Sequence, residues 1–388
     1  MVARYYDKVK RVKDMMKQLL HTPEGVRDIY GTEYARKVEV ENRIHSVLSL
    51  YGYQDIQTPT FEFFDVFSKE IGTTPSRELY KFFDKENNTL VLRPDFTPSI
   101  ARCAAKYFSE EKLPLRLCYA GNTFTNRSDL QGKLKESTQM GAELIGDCSV
   151  EADAEMISMV VQALLDTGLK RFQISIGQVE YFKGLCAEAG LDEETEMQLR
   201  ACISGKNYFA AQELLVERRV QEPYMTRLLK VADMCGDMCS LTEARAMVNN
   251  DRSITAIDRL EKLYQVLSAY GVADYVSFDL GMLSKYNYYT GVIFKAYTYG
   301  VGDAVVKGGR YDKLLTQFGR EAGAVGFCVL TDHILEALSR QKVELPVPEA
   351  PEVLHYTEET FQECLAQAKR IRGEGRPVVL TAATGGNR

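Results

Sequence analysis

The stretch Leu115 to Gly146, LRLCYAGNTFTNRSDLQGKLKESTQMGAELIG, constrains the fold more than any other part of the chain. It begins by alternating apolar and polar residues. A polar loop with Asn126, Asp129 and Gly132 follows, and then a second half-apolar run from Thr138 to Ile145. Period-two alternation on both sides of a turn-rich segment predicts a β-hairpin with an open, charged loop. Gln139 and Glu143 are four apart, so in a strand both lie on one face. A carboxylate between Ala142 and Leu144 suits a pocket better than plain solvent.

The chain has 388 residues, enough for two or three domains, and 45% hydrophobic content is ordinary for globular folds. A net charge of -6 argues against a general nucleic-acid binder, whose domains are typically basic. No apolar run is long enough to span a bilayer and no secretory segment opens the chain. The nine cysteines are scattered and odd in number, which fits reduced thiols and a cytoplasmic location. Cys235 and Cys239 are the one close pair. His21, His45, His333 and His355 lie far from it in sequence, so buried thiols on a helix are expected there, with no metal and no cofactor.

Taken in order, residues 1–20 read as a basic amphipathic arm with Tyr6, Val9, Val12, Met16 and Leu19 on one stripe. HTPEGVRDIYG suits a turn. Glu33 to Leu50 carries apolar residues at helical spacing and Gly52 stops it. The strand YQDIQTPTFEFFDVF contains Pro59, which cannot donate to a ladder and places the strand at an edge or an interface. Tyr80–Phe83 and Thr89–Leu92 predict a hairpin. In LRPDFTPSIARC, Asp95 precedes a helix that Pro98 can open; its carboxylate can bind an ammonium, cap the helix, or do both. A helix from Val150 to Thr167 and a strand after Arg171 follow, and residues 185–271 read as entirely helical. Beyond the strand from Val276 to Leu283 stand Tyr288 and Tyr289, either pocket phenols or ordinary core. In VVKGGRYD the paired glycines let the backbone approach a ligand, making Arg310 and Tyr311 pocket candidates. The Pro-rich LPVPEAP from Leu345 marks a boundary before one β-α-β unit. The expected domains are therefore 1–20, 21–344 with a helical insertion at about 185–271, and 345–388.

These segments, in this order, resemble the class II aminoacyl-tRNA synthetases, most closely the histidyl branch. The resemblance implies an α+β fold, an antiparallel sheet flanked by helices with a helical insertion, and a homodimer through the motif 1 region around Pro59. LRPDFT is similar to the family's Leu-Arg-Pro-Glu-x-Thr, whose acid and Thr hold the substrate ammonium, so Asp95 and Thr97 join Gln139, Glu143, Tyr288, Tyr289, Arg310 and Tyr311 as candidate histidine-binding residues. The nucleotide-handling positions depart from the family. Thr125 follows Phe124 where motif 2 has its Arg, and Arg127 occupies the Glu position. Ser284 falls on the Arg, and Asn287 on the Asp, of the histidyl signature. Leu330, Asp332 and His333 replace the Gly, Glu and Arg of motif 3. Neither a Thr hydroxyl nor a neutral imidazole can replace a bidentate guanidinium on a phosphate.

The pattern resembles one non-catalytic branch, the regulatory-subunit family of ATP phosphoribosyltransferase. Membership implies no enzymatic activity, a hetero-oligomer with the short-form catalytic subunit, a role in the first step of histidine biosynthesis, and histidine as feedback effector. The alternatives are a divergent histidyl-tRNA synthetase or other amino-acid-adenylating enzyme, and an RNA-sensing relative. Acidity and a C-terminal segment too short for an anticodon-binding domain speak against tRNA.

Overall fold

A computed structural model describes residues 20–67, 74–127, 134–284 and 288–383. All of the expected N-terminal arm except Leu20 lies outside them, as does Asn287. Gly31–Leu50 forms α1, with Val40, Ile44, Val47 and Leu48 buried, the spacing of a single helical stripe. Gly52, at φ 80°, ends it as expected. The strand expected around Pro59 is in fact two, β1 (Gln54–Asp55) and β2 (Phe61–Phe63). Proline interrupts the ladder, and the Thr58 and Pro59 carbonyls instead accept hydrogen bonds from the Arg93 guanidinium at 2.9 and 3.3 Å. β3 (Lys81–Phe83) and β4 (Thr89–Leu92) form the expected hairpin, and β2 completes a three-stranded sheet in the order β2-β4-β3.

α2 (Thr97–Tyr107) leads to the long hairpin of β5 (Leu115–Phe124) and β6 (Glu136–Ile145). Then come α3 (Val150–Asp166), β7 (Phe172–Gln178) and the helices α4 (Val179–Glu188), α5 (Glu193–Ser204), α6 (Tyr208–Glu217) and α7 (Tyr224–Lys230). The short strand β8 (Cys235–Gly236) precedes α8 (Met238–Ala246) and α9 (Asp251–Ala269). β9 (Val276–Asp279), β10 (Val292–Thr298), β11 (Val306–Arg310), β12 (Ala324–Leu330) and α10 (Thr331–Arg340) follow. Nine strands join in the order β1-β5-β6-β12-β11-β10-β7-β9-β8. The pairings are antiparallel except β1 with β5 and β7 with β9. The core between sheet and helices includes Met156, Ile157 and Val160 of α3 and Leu260, Leu263 and Leu267 of α9, all fully buried.

The helical region departs from expectation at one point. β8 pairs with β9, so this stretch is not entirely helical. Cys235 lies in that strand and Cys239 in α8, and both are exposed rather than buried together on one helix. Two residues are too few to give a period-two pattern, so the sequence carried no strand signal there.

The chain divides into two compact units, one of them Leu345–Arg388 with Tyr30–Glu39. In it β13 (Glu352–Tyr356), α11 (Phe361–Gly373) and β14 (Val378–Ala382) make a parallel β-α-β unit around Ala368, Ile371 and Val378.

Candidate functional site

Register builds the site. Glu143 on β6 stands opposite Gly326 on β12, and Gly326 opposite Gly309 on β11. Residues directly opposite share a face of the sheet, so these three lie side by side. The two glycines make room: a Cβ on Gly326 would overlap Glu143 Oε2, and one on Gly309 would come within 2.6 Å of the Tyr289 ring. Glu143 is 1% exposed. The Thr97 hydroxyl donates to its Oε1 at 2.9 Å, and the Tyr311 phenol donates a short hydrogen bond to its Oε2. Tyr288 packs its ring 4.2 Å from Tyr289 and 5.9 Å from Tyr311. Five of the eight candidate residues thus meet around one carboxyl group.

The electrostatics follow from burial. Desolvation pushes the Glu143 carboxyl up to about 8, helped by the nearby Asp95 charge and opposed by the Tyr311 and Thr97 hydrogen bonds. Burial likewise raises the Tyr288, Tyr289 and Tyr311 phenols above their ordinary range. Near neutrality the cluster is a protonated carboxyl among neutral phenols, and a cation brought against it would restore the carboxylate. Asp95 accepts from the backbone N–H groups of Phe96 at 2.7 Å and Thr97 at 3.4 Å, just ahead of α2, whose N-cap residue is Phe96 and not Asp95. Gln139 lies on the same face of β6, and its Oε1 is buried with no hydrogen-bond partner among the described residues. A buried acceptor left without a donor costs about 1–3 kcal/mol, so this oxygen is suited to a ligand N–H.

Arg310 does not belong to the cluster. Residues 309 to 311 alternate faces, which sends Arg310 away from Glu143 while Tyr311 faces it. Its guanidinium is bonded to Asp153 on α3 at 2.6–2.8 Å, to the Asp147 carbonyl at 3.0 Å and to the Ser149 carbonyl at 3.3 Å. Arg310 is 3% and Asp153 0% exposed, and Arg259 also reaches Asp153 at 2.6 Å. The residue ties sheet to helix, a buried and fully paired ion-pair network.

Two contributors escaped the sequence reading. Tyr119 stands opposite Gly141 on the same face as Glu143, 3% exposed and stacked 4.4 Å from Phe96. Cys328 stands between Gly141 and Lys307 on that face. The alternation of β5 and β12 carries a signal for both, but it shows its orientation only once the strand register is known.

The residues at the positions where the resemblance leads one to expect nucleotide contacts have the following partners. The backbone N–H of Thr125 is bonded to the Lys135 carbonyl at 2.8 Å. Arg127 pairs with Glu78 at 3.1 Å. His333 Nδ1 lies 3.0 Å from the Ala304 carbonyl, which can only accept, so that nitrogen donates. Asp332 accepts from the Thr138 N–H at 2.9 Å and lies 4.0 Å from Arg27. Ser284 immediately precedes residues 285–287, which lie outside the description. Among the described residues no helix is long and apolar enough to cross a membrane.

Comparison with known proteins places the chain. The family model described as histidyl-tRNA synthetase matches residues 25–334. The ATP phosphoribosyltransferase regulatory subunit of Acetivibrio thermocellus is 40% identical over 359 residues, 92% of this chain and 86% of that protein. A crystal structure from Bacillus halodurans, described as an ATP phosphoribosyltransferase regulatory subunit/histidyl-tRNA synthetase, superposes with a TM-score of 0.86 at 34% identity, covering 95% of this chain and 94% of that one. Histidyl-tRNA synthetase from a Nostoc species, at 17% identity and a TM-score of 0.78, covers 95% of this chain and 87% of its own, a likeness of fold alone. The expected α+β, class II synthetase-like fold is therefore present, and the chain belongs to the family of ATP phosphoribosyltransferase regulatory subunits built on the histidyl-tRNA synthetase fold.

Proposed function

We propose that this chain is a non-catalytic regulatory subunit. It associates with a short-form ATP phosphoribosyltransferase catalytic subunit in the cytoplasm, is required for that enzyme's activity in histidine biosynthesis, and confers feedback inhibition by histidine. The observation that carries the reading is the Glu143 cluster. A buried carboxyl bonded to Thr97 and Tyr311, with Tyr288 and Tyr289 beside it, offers an ammonium partner and ring-packing phenols in one place. Asp95 supplies a second carboxylate and Gln139 Oε1 an acceptor for an imidazole or amine N–H. Thr125, Ser284 and His333, together with an Arg127 already paired with Glu78, support the loss of triphosphate chemistry. Feedback then needs histidine to favour one assembly state over another by about 1–3 kcal/mol. Homodimerisation through the region of Pro59 belongs to the same reading, as does a division of labour between residues 21–344 and the segment from 345 onward.

Co-expression with a short-form ATP phosphoribosyltransferase chain, purification of the complex and assay with and without histidine tests the proposal. Co-purification with histidine-sensitive activity supports it. Histidine-dependent ATP–pyrophosphate exchange by the isolated chain would instead make it an adenylating enzyme.

A further inference from the structure

Beyond this reading, the geometry points to a metal site: we propose that His45, Asp55 and Cys118 bind one zinc ion at the outer edge of the nine-stranded sheet. Three elements converge there. β1 and β5 pair in parallel with Asp55 abreast of Cys118, which sets both side chains on one face, and α1 brings His45 over them. His45 Nε2 lies 2.9 and 3.0 Å from the two Asp55 oxygens, and Cys118 Sγ lies 3.5 Å from Asp55 Oδ1. One donor atom from each residue falls within 4.8 Å of the others, the single such set of three or more among the described residues.

The spacings of Asp55 to His45 and to Cys118 are close to those of zinc, and the imidazole and thiol, within 4.8 Å of each other, would draw together on binding. Tetrahedral bonds of about 2.0–2.3 Å to oxygen, nitrogen and sulfur set the donors about 3.3–3.7 Å apart. The carboxylate and imidazole need to part by only a few tenths of an ångström. An imidazole, a carboxylate and a thiolate together suit zinc better than the oxygen-seeking cations. The order of the groups also excludes the obvious rival. Asp55 lies between thiol and imidazole, so His45 is not placed to activate Cys118 as a nucleophile. The fourth coordination position opens toward solvent, because Cys118 is buried while the side chains of Asp55 and His45 are 71% and 43% exposed. The ion would fasten β1, only two residues long, to α1 and β5. Local spacing could not have shown this, since the donors lie 10 and 63 residues apart in sequence.

The test is titration of the metal-free full chain with zinc alone, followed calorimetrically, and with cobalt as a spectroscopic stand-in. One ion per chain is expected, with a sulfur-to-cobalt charge-transfer band. Cys118→Ser should abolish that band and lower affinity at least about tenfold. His45→Ala, at a surface position where folding is not at stake, should lower zinc affinity similarly. It should also remove the rise in Tm that zinc gives the wild-type chain. A Cys235→Ser/Cys239→Ser double variant should leave all of this unchanged. Absence of saturable binding overturns the proposal, and so does binding that survives Cys118→Ser and His45→Ala but disappears in the Cys235/Cys239 variant.

Discussion

Replacing Glu143 by Gln isolates the cost of keeping an acid in the pocket. The amide retains the shape and can accept from one hydroxyl while donating to the other, because Thr97 and Tyr311 can both rotate their O–H groups. What disappears is the proton equilibrium. Burial moves the carboxyl from 4.5 to about 8, which at about 1.4 kcal/mol per pH unit amounts to about 5 kcal/mol. The sign follows from proton counts. Between pH 4.5 and 8 the folded chain holds the proton and the unfolded chain has lost it, so the unfolded state binds fewer protons and stability falls as pH rises. This contribution is complete below pH 4.5 and gone above about 8. Urea denaturation of wild type and Glu143→Gln, followed by circular dichroism because the chain contains no tryptophan, measures it directly. Subtracting the two curves cancels the other titrating groups. The wild-type advantage should shrink by roughly 3–5 kcal/mol between about pH 5 and pH 8. A constant difference, or one that grows with pH, would refute the reasoning. It would mean that the Thr97 and Tyr311 hydrogen bonds outweigh desolvation and keep the carboxylate ionised. On the proposed function the same residue gives a second readout. Histidine binding at pH 7 should release on the order of one proton from the wild type and none from Glu143→Gln, seen by calorimetry in buffers of different ionisation enthalpy.

Other outcomes follow from the same geometry. Gly326→Ala sets a methyl against Glu143 Oε2; it should destabilise the fold by about 1–3 kcal/mol and weaken histidine binding in a thermal-shift titration. Gly302→Ala, with nothing within 4 Å of the new Cβ, is the near-neutral control. Asp153→Ala removes the carboxylate shared by Arg310 and Arg259, leaving Arg310 its weaker pair with Asp312 at 3.2 Å, and should cost about 3 kcal/mol by urea denaturation. Arg310→Met leaves Arg259 on Asp153 and should cost less, with the double variant well below the sum. Thr97→Val removes one donor from Glu143 and should cost about 1 kcal/mol while the carboxyl is protonated and more once it ionises, above about pH 8.

The sequence by itself determined most of the local elements and singled out most of the residues of the candidate site. Alternation in Leu115–Phe124 and Glu136–Ile145 and the helical stripe of Val40, Ile44, Val47 and Leu48 were legible because both periods are local properties of the chain. Motif resemblance named Asp95, Thr97, Glu143 and Tyr311 as candidates. Their convergence was not legible, because it depends on β12 lying between β6 and β11, an order no local pattern encodes. Tertiary structure alone decided that Arg310 serves Asp153 while its neighbour Tyr311 serves Glu143, since a strand's two faces acquire meaning only when helices cover one of them. It also split the strand at Pro59 between two sheets, gave Cys235 a strand, and drew His45, Asp55 and Cys118 together. These are long-range pairings, fixed by register and packing between segments far apart in the chain.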